Sequence, residues 1–343
     1  MKRILAIALF AALAWTQAEA ADISGAGATF PYPIYAKWAG AYKTQTGIGL
    51  NYQSIGSGGG IKQIKAKTVT FGASDKPLKA SELDEAGLTQ FPAIVGGTVL
   101  VVNLAGIKPG ELVLDGDTTA RIFLGEITQW DDPKIKALNP NVSLPNKAIA
   151  VVHRSDGSGT TFLFATFLAQ NNSTWSNQVG ADTALQWPVG IGAKGNEGVA
   201  NMAKQTDGAI GYVEFAYAKQ NNMTFTQLVN KAGKTVQPSL DSFSAAAAGA
   251  DWANTPGFNL VLTNQAAPDA WPIVGASFII VYKRPADPPA LLTALKFFDW
   301  AFKSGGDMAK QLDYVPLPPN VVQVIEKSWS DNIKGGGGGV MWQ

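Results

Sequence analysis

The chain has 343 residues, of which 46% are hydrophobic and 15% charged, so it is long and apolar enough to fold as two globular units and is not a disordered chain. It contains no cysteine and one histidine, which excludes disulfides, thiolate chemistry and zinc sites built from Cys and His. A formal charge of +1 offers no basic stripe for nucleic acid.

The N-terminal segment reads as an export signal. Lys2 and Arg3 precede an apolar run at 4–15 that is too short to span a bilayer, and Ala18-Glu19-Ala20 supplies an A-x-A cleavage site. Residues 1–20 are therefore expected to be removed, and with them Lys2, Arg3 and Glu19, leaving 25 basic and 25 acidic residues and a formal charge of 0. No cysteine follows the cleavage site to take a lipid anchor, so the expected location is the periplasm. There is no D-x-D-x-D-G loop for a cation, and no cofactor is expected.

Short apolar runs then alternate with helical patterns. Strands are predicted over 48–55, 70–75, 93–104, 148–154, 208–215 and 271–283, and helices over 61–69, 160–171, 290–305 and 320–334. Such alternation predicts an α/β fold with mostly parallel pairing. The apolar strands near 98 and 276 are the longest and predict two crossings between two lobes. Lobe I is then residues 21–98 with 277–343, and lobe II is 99–276, with a ligand cleft between them. The glycine run 335–339 reads as a flexible tail.

Three stretches pass from strand to helix through small hydroxyl residues: 25–38 around Thr29, 54–64 around Ser57, and 154–164 around Ser158 and Thr160. A helix N-terminus leaves N–H groups unpaired and carries about half a positive charge. Glycine lets the backbone approach a ligand, and hydroxyls add rotatable donors. One such junction is an ordinary helix cap. Three of them, one with an arginine, point to an anion site. Arg154 can fork onto two oxygens of one anion, and Asp156 is either its surface ion-pair partner or the group that holds it in place. Asp75 is the odd member. Taken alone it reads as a cap before Pro77; inside an anion site it makes sense only if the anion carries a proton, because a carboxylate only accepts. Hydrogen phosphate meets that requirement and sulfate does not.

The stretches GAGATFPYPIYAKWAGAY (25–42), YQSIGSGGGIKQI (52–64), TFGASDKPL (70–78), RSDGSGTTFLF (154–164), NEGVA (196–200) and GAIGYVEFAYAKQNN (208–222) occur in this order. In them the chain, from about 24 to 334, strongly resembles the periplasmic phosphate-binding proteins of phosphate ABC importers. The resemblance implies a type II periplasmic binding-protein fold, with each lobe a central mixed sheet flanked by helices and a two-strand hinge. It implies capture of inorganic phosphate, mono- and dibasic, by a monomer, and delivery to an inner-membrane permease with its ATPase. The phosphate contacts it implies are Thr29, Phe30, Ser57, Asp75, Arg154, Ser158, Gly159 and Thr160, with Asp75 accepting the phosphate proton and Asp156 behind Arg154. His153 stands where a second arginine is common in that family.

Two other chemistries fit poorly. A serine hydrolase would need His153 as base for Ser158, but His153 and Arg154 lie on opposite faces of an alternating strand, and no G-x-S-x-G elbow occurs. The run 190–195 matches G-x-G-x-x-G with Glu214 about 20 residues on, the spacing of a dinucleotide fingerprint. Pro188 sits where its strand should run, so these glycines are expected to shape a loop. Among oxyanions, arsenate also carries a proton and stays open beside phosphate, whereas Asp75 argues against molybdate.

Overall fold

The computed structural model describes residues 22–335 and 337–342, so the expected export signal at 1–20 lies outside the described residues. Twelve strands form among them: β1 (Ile23–Gly27), β2 (Leu50–Ser54), β3 (Phe71–Ser74), β4 (Leu88–Val102), β5 (Val113–Leu114), β6 (Ala150–Arg154), β7 (Ile191–Ala193), β8 (Ala209–Glu214), β9 (Thr224–Phe225), β10 (Gln227–Val229), β11 (Thr235–Val236) and β12 (Val274–Tyr282). Nine belong to one continuous sheet in the order β2-β1-β3-β12-β4-β8-β6-β7, with β9 also on β4, while β11-β10-β5 make a small separate sheet. The sheet is mixed. β1 runs parallel to β2 and β3, and β6 parallel to β7 and β8, whereas β12 and β4 are antiparallel to their neighbours.

β4 joins the two halves. Its residues up to Gly97 pair with β12, and from Thr98 onward it pairs with β8. All 15 of its residues are buried, which fits an apolar strand covered on both faces. Pro92 has no N–H to give to the ladder, and there the pairing slips: Ile94 faces Ser277 but Pro92 faces Phe278, leaving Ala93 as the extra residue of a bulge.

Helices cover both faces. The helix Pro288–Ser304 starts on two prolines, which need no N–H partner in a first turn, and the Asp287 side chain accepts from the Ala290 N–H at 3.0 Å. Its Leu291, Leu295 and Phe298 are buried, and Phe298 meets Phe71 and Phe91 edge-on at 5.1 and 5.8 Å.

Two expectations are corrected. The glycines of 190–195 do not form a loop: Gly192 lies in β7, and Gly195 opens the helix Gly195–Gln205. β7 is a three-residue edge strand, which is why Pro188 just before it does no harm. The described part of the tail is not free either. Lys334 bridges Val340, and Trp342 packs edge-on against the buried Trp329 at 4.9 Å.

Candidate functional site

The three junctions stand at the C-terminal ends of β1, β2 and β6, where each strand gives way to a helix: Tyr32–Thr46, Ser57–Lys65 and Gly159–Asn171. Parallel strands send these ends the same way, so β1, β2 and β3 deliver Thr29, Ser57 and Asp75 to one edge of their half of the sheet. β6 delivers Arg154 and the 158–160 turn from the other half. The halves meet there. The Ser57 hydroxyl accepts from the Asp75 N–H at 3.2 Å and from the Gly159 N–H at 3.0 Å, and Gly58 N–H donates to the Gly157 carbonyl at 2.9 Å. A Cβ built on Gly159 would lie 2.5 Å from the Asp75 Cβ, so only glycine fits.

The hydroxyls of this cluster are prepared as donors. Thr29 Oγ1 accepts from the Asn196 N–H at 3.1 Å and from Asn196 Nδ2 at 2.6 Å, and Ser57 Oγ accepts twice as described. Both lone pairs of each are taken, so the remaining hydroxyl proton has to point elsewhere. Thr160 Oγ1 accepts from Asn196 Nδ2 at 3.1 Å, and Ser158 Oγ caps its helix by accepting from Thr161 N–H at 3.0 Å. The N–H groups of Phe30, Ser57 and Thr160 have no backbone partner among the described residues; those of Ser57 and Thr160 are first-turn amides, and Phe30 lies two residues before its helix.

Two charged groups complete the set. Arg154 is 3% exposed, and its Nε and Nη2 donate to Asp156 at 2.8 and 2.6 Å, a bidentate pair that fixes the plane of the guanidinium. Asp156 also accepts from Gly195 N–H at 3.0 Å. Burial works to raise the Asp156 carboxyl, but Arg154 and this amide overcome it and hold it below the usual carboxylate range. The pair is therefore internal rather than a surface contact. Asp75 is 1% exposed, and burial pushes its carboxyl up to about 7, against the opposing pull of Ser277, Arg154 and Ser57. Arg154 Nη1 and Asp75 Oδ1 are both buried without a hydrogen-bond partner among the described residues: one donor and one acceptor.

Sequence reasoning missed the supports. Asn196 ties Thr29 to Thr160 while its own Oδ1 accepts from Glu214 N–H at 2.9 Å. It sits at the start of a helix in the NEGVA stretch, a position that could have flagged it. Tyr314 lies between the Phe30 carbonyl at 2.6 Å and Glu214 Oε2 at 2.7 Å. Two such short contacts need two protons and Tyr314 has one, so Glu214 supplies the other. Burial, which pushes this carboxyl well up, agrees. No local pattern announces a pair 100 residues apart. His153 stacks on Trp187 at 4.6 Å with its Nδ1 on the Arg154 carbonyl, and Ser158 makes no bond to it.

The sequence matches the model of the PBP superfamily domain over residues 14–304. It is 52% identical to the phosphate-binding protein PstS of Pasteurella multocida, covering 100% of this chain and 99% of that one. The chain belongs to the PstS family of phosphate-binding proteins. The PstS protein of Haemophilus influenzae is 54% identical over 92% of this chain and 95% of its own. Among solved structures, a high-affinity periplasmic phosphate-binding protein (PfluDING) bound with phosphate superposes with a TM-score of 0.71 at 23% identity, over 91% of this chain and 95% of that one. A phosphate-binding protein from Stenotrophomonas maltophilia gives 0.66 at 19%, over 89% and 92%. These likenesses show the two-lobed periplasmic binding-protein fold. A PstS-family chain is a binding protein and not an enzyme, so the hydrolase and dinucleotide readings fall.

Proposed function

We propose that this protein captures inorganic phosphate between two lobes and hands it to the membrane permease of an ABC importer, acting in the periplasm as a monomer, with the ATPase on the permease. Residues 21–98 with 277–343 form lobe I and 99–276 form lobe II, hinged where β4 changes partner between Gly97 and Thr98. Thr29, Phe30, Ser57, Arg154, Ser158, Gly159 and Thr160 hold the oxyanion, and Asp75 accepts its proton. Asp156 keeps Arg154 in plane. The relatives' names and the neighbour bound with phosphate support this reading.

The observation that carries it is the lone buried acceptor of Asp75 among saturated hydroxyls and an unpartnered arginine N–H. An anion with no proton leaves that acceptor unpaired and next to like charge, which rejects it by several kcal/mol, ~10³-fold or more. Calorimetric titration of ligand-free protein at pH 8, above the value of about 7 to which burial raises the Asp75 carboxyl, tests it. Phosphate should bind one to one, sulfate should give no signal, and Asp75→Asn should narrow the gap between them. Equal affinity of the wild type for phosphate and sulfate would sink the role of Asp75.

A further inference from the structure

Resting on the phosphate reading above, we infer that Tyr217 is a positioning residue that aims the Phe30 N–H at the ligand, and that Glu197 and Ser54 let it do so by exchanging hydrogen bonds as the lobes close. Tyr217, in the helix Phe215–Gln220, is 4% exposed, and its hydroxyl donates to the Thr29 carbonyl at 2.6 Å. That carbonyl belongs to the same peptide group as the Phe30 N–H. In a planar trans peptide the two point in opposite directions, so gripping the carbonyl from one side turns the N–H to the other. A hydrogen bond at the carbonyl also polarises the amide and makes its N–H a stronger donor. The same residue is held from its side chain by Asn196, so both handles of Thr29 are gripped from beyond residue 98.

Glu197 explains how this grip can form and release. Tyr217 lies 3.0 Å from Glu197 Oε1 as well as 2.6 Å from the Thr29 carbonyl, with a single proton for the two acceptors. Ser54, at the end of β2, donates to the same Glu197 oxygen at 3.2 Å. Tyr217 and Glu197 come from one half of the molecule, Thr29 and Ser54 from the other. With the halves apart, Tyr217 keeps Glu197 as its acceptor. With the halves together, it passes to the Thr29 carbonyl, and Ser54 takes its place on Glu197. No polar group is stranded in either arrangement, so closure loses no hydrogen bond. Glu197 and Tyr217 also line a groove of about 450 Å³ with Tyr32, Pro33 and Ala36 across from them, which gives water a route to the exchange.

The test compares wild type, Tyr217→Phe, Ser54→Ala and the double variant by phosphate titration, stopped-flow release and melting of the ligand-free proteins. Tyr217→Phe should raise the Kd roughly three- to tenfold through faster release, with phosphate-over-sulfate preference intact. Ser54→Ala should act in the same direction and less, and the double variant should fall short of the product of the two because both act on one oxygen of Glu197. A Kd within about twofold of wild type for Tyr217→Phe, or a lower ligand-free Tm with unchanged Kd, overturns the inference and leaves Tyr217 a packing residue. If Tyr217→Phe does not fold, Ser54→Ala decides alone: unchanged affinity and release overturn the exchange. A wild type that binds no phosphate brings down the functional reading itself, which the variants cannot do.

Discussion

Asp75 sits at the end of β3 with a carboxyl raised by burial to about 7, compared with 3.8 when free. Between these values the folded protein holds a proton that the unfolded chain has lost, so stability falls as pH rises from about 4 to about 7 and is flat above. The change is on the order of 4 kcal/mol. Ligand-free Asp75→Asn has no such proton to lose, and its Tm should stay nearly level across that window. An unchanged slope in the variant would mean that another buried acid, Glu214 first, sets the dependence. Asp156 gives a second prediction. Replacing it with Ala leaves a buried guanidinium with three unpaired nitrogens and should cost about 3–5 kcal/mol of stability, read as a lower Tm, besides weakening phosphate.

At the level of elements, the junctions were legible because each combines a strand, a glycine and a hydroxyl in a few residues. The helices start at Ser57 and Gly159, the first of them four residues before the Ile61 start that the glycine run suggests. What was not legible is distance in sequence. Asn196 is 167 residues from Thr29, and Tyr217 is 188. The strands β5, β9, β10 and β11 are two or three residues long, too short for any period to register, and β7 was hidden behind Pro188. Gly192 and Gly195 looked like a loop because glycine rarely reads as strand or helix. The close approach at Gly159 gives the element-scale prediction. Gly159→Ala puts a methyl into Asp75, so the helices Ser57–Lys65 and Gly159–Asn171 cannot meet. Phosphate affinity should drop at least ~100-fold while each half stays folded, with unchanged circular dichroism; near-normal affinity would show that the two turns have slack.

For the whole molecule, the expected α/β class, the two-lobed fold and the mixed sheet that the resemblance implies stand, whereas the mostly parallel pairing read from strand–helix alternation does not, because β4 and β12 run against their neighbours. Their length made them visible in the sequence, but their direction did not, since a buried apolar strand looks the same whichever way its partners run. The hydrophobic core is likewise shared: buried residues from both halves of the chain form one contiguous cluster, and a much smaller one lies under β3.

β4 has a further consequence. A strand that is the edge partner of β12 in its first part and of β8 in its second cannot melt in one half without fraying the ladder of the other. Two lobes built on separate sheets would behave as separate foldons, each with its own transition. Here the two are coupled through one backbone, so heating should give a single endotherm whose calorimetric and van't Hoff enthalpies agree, and phosphate should shift it as a unit. In the hinge proposed above, the strand on which the protein bends is also the strand that prevents it from coming apart in pieces.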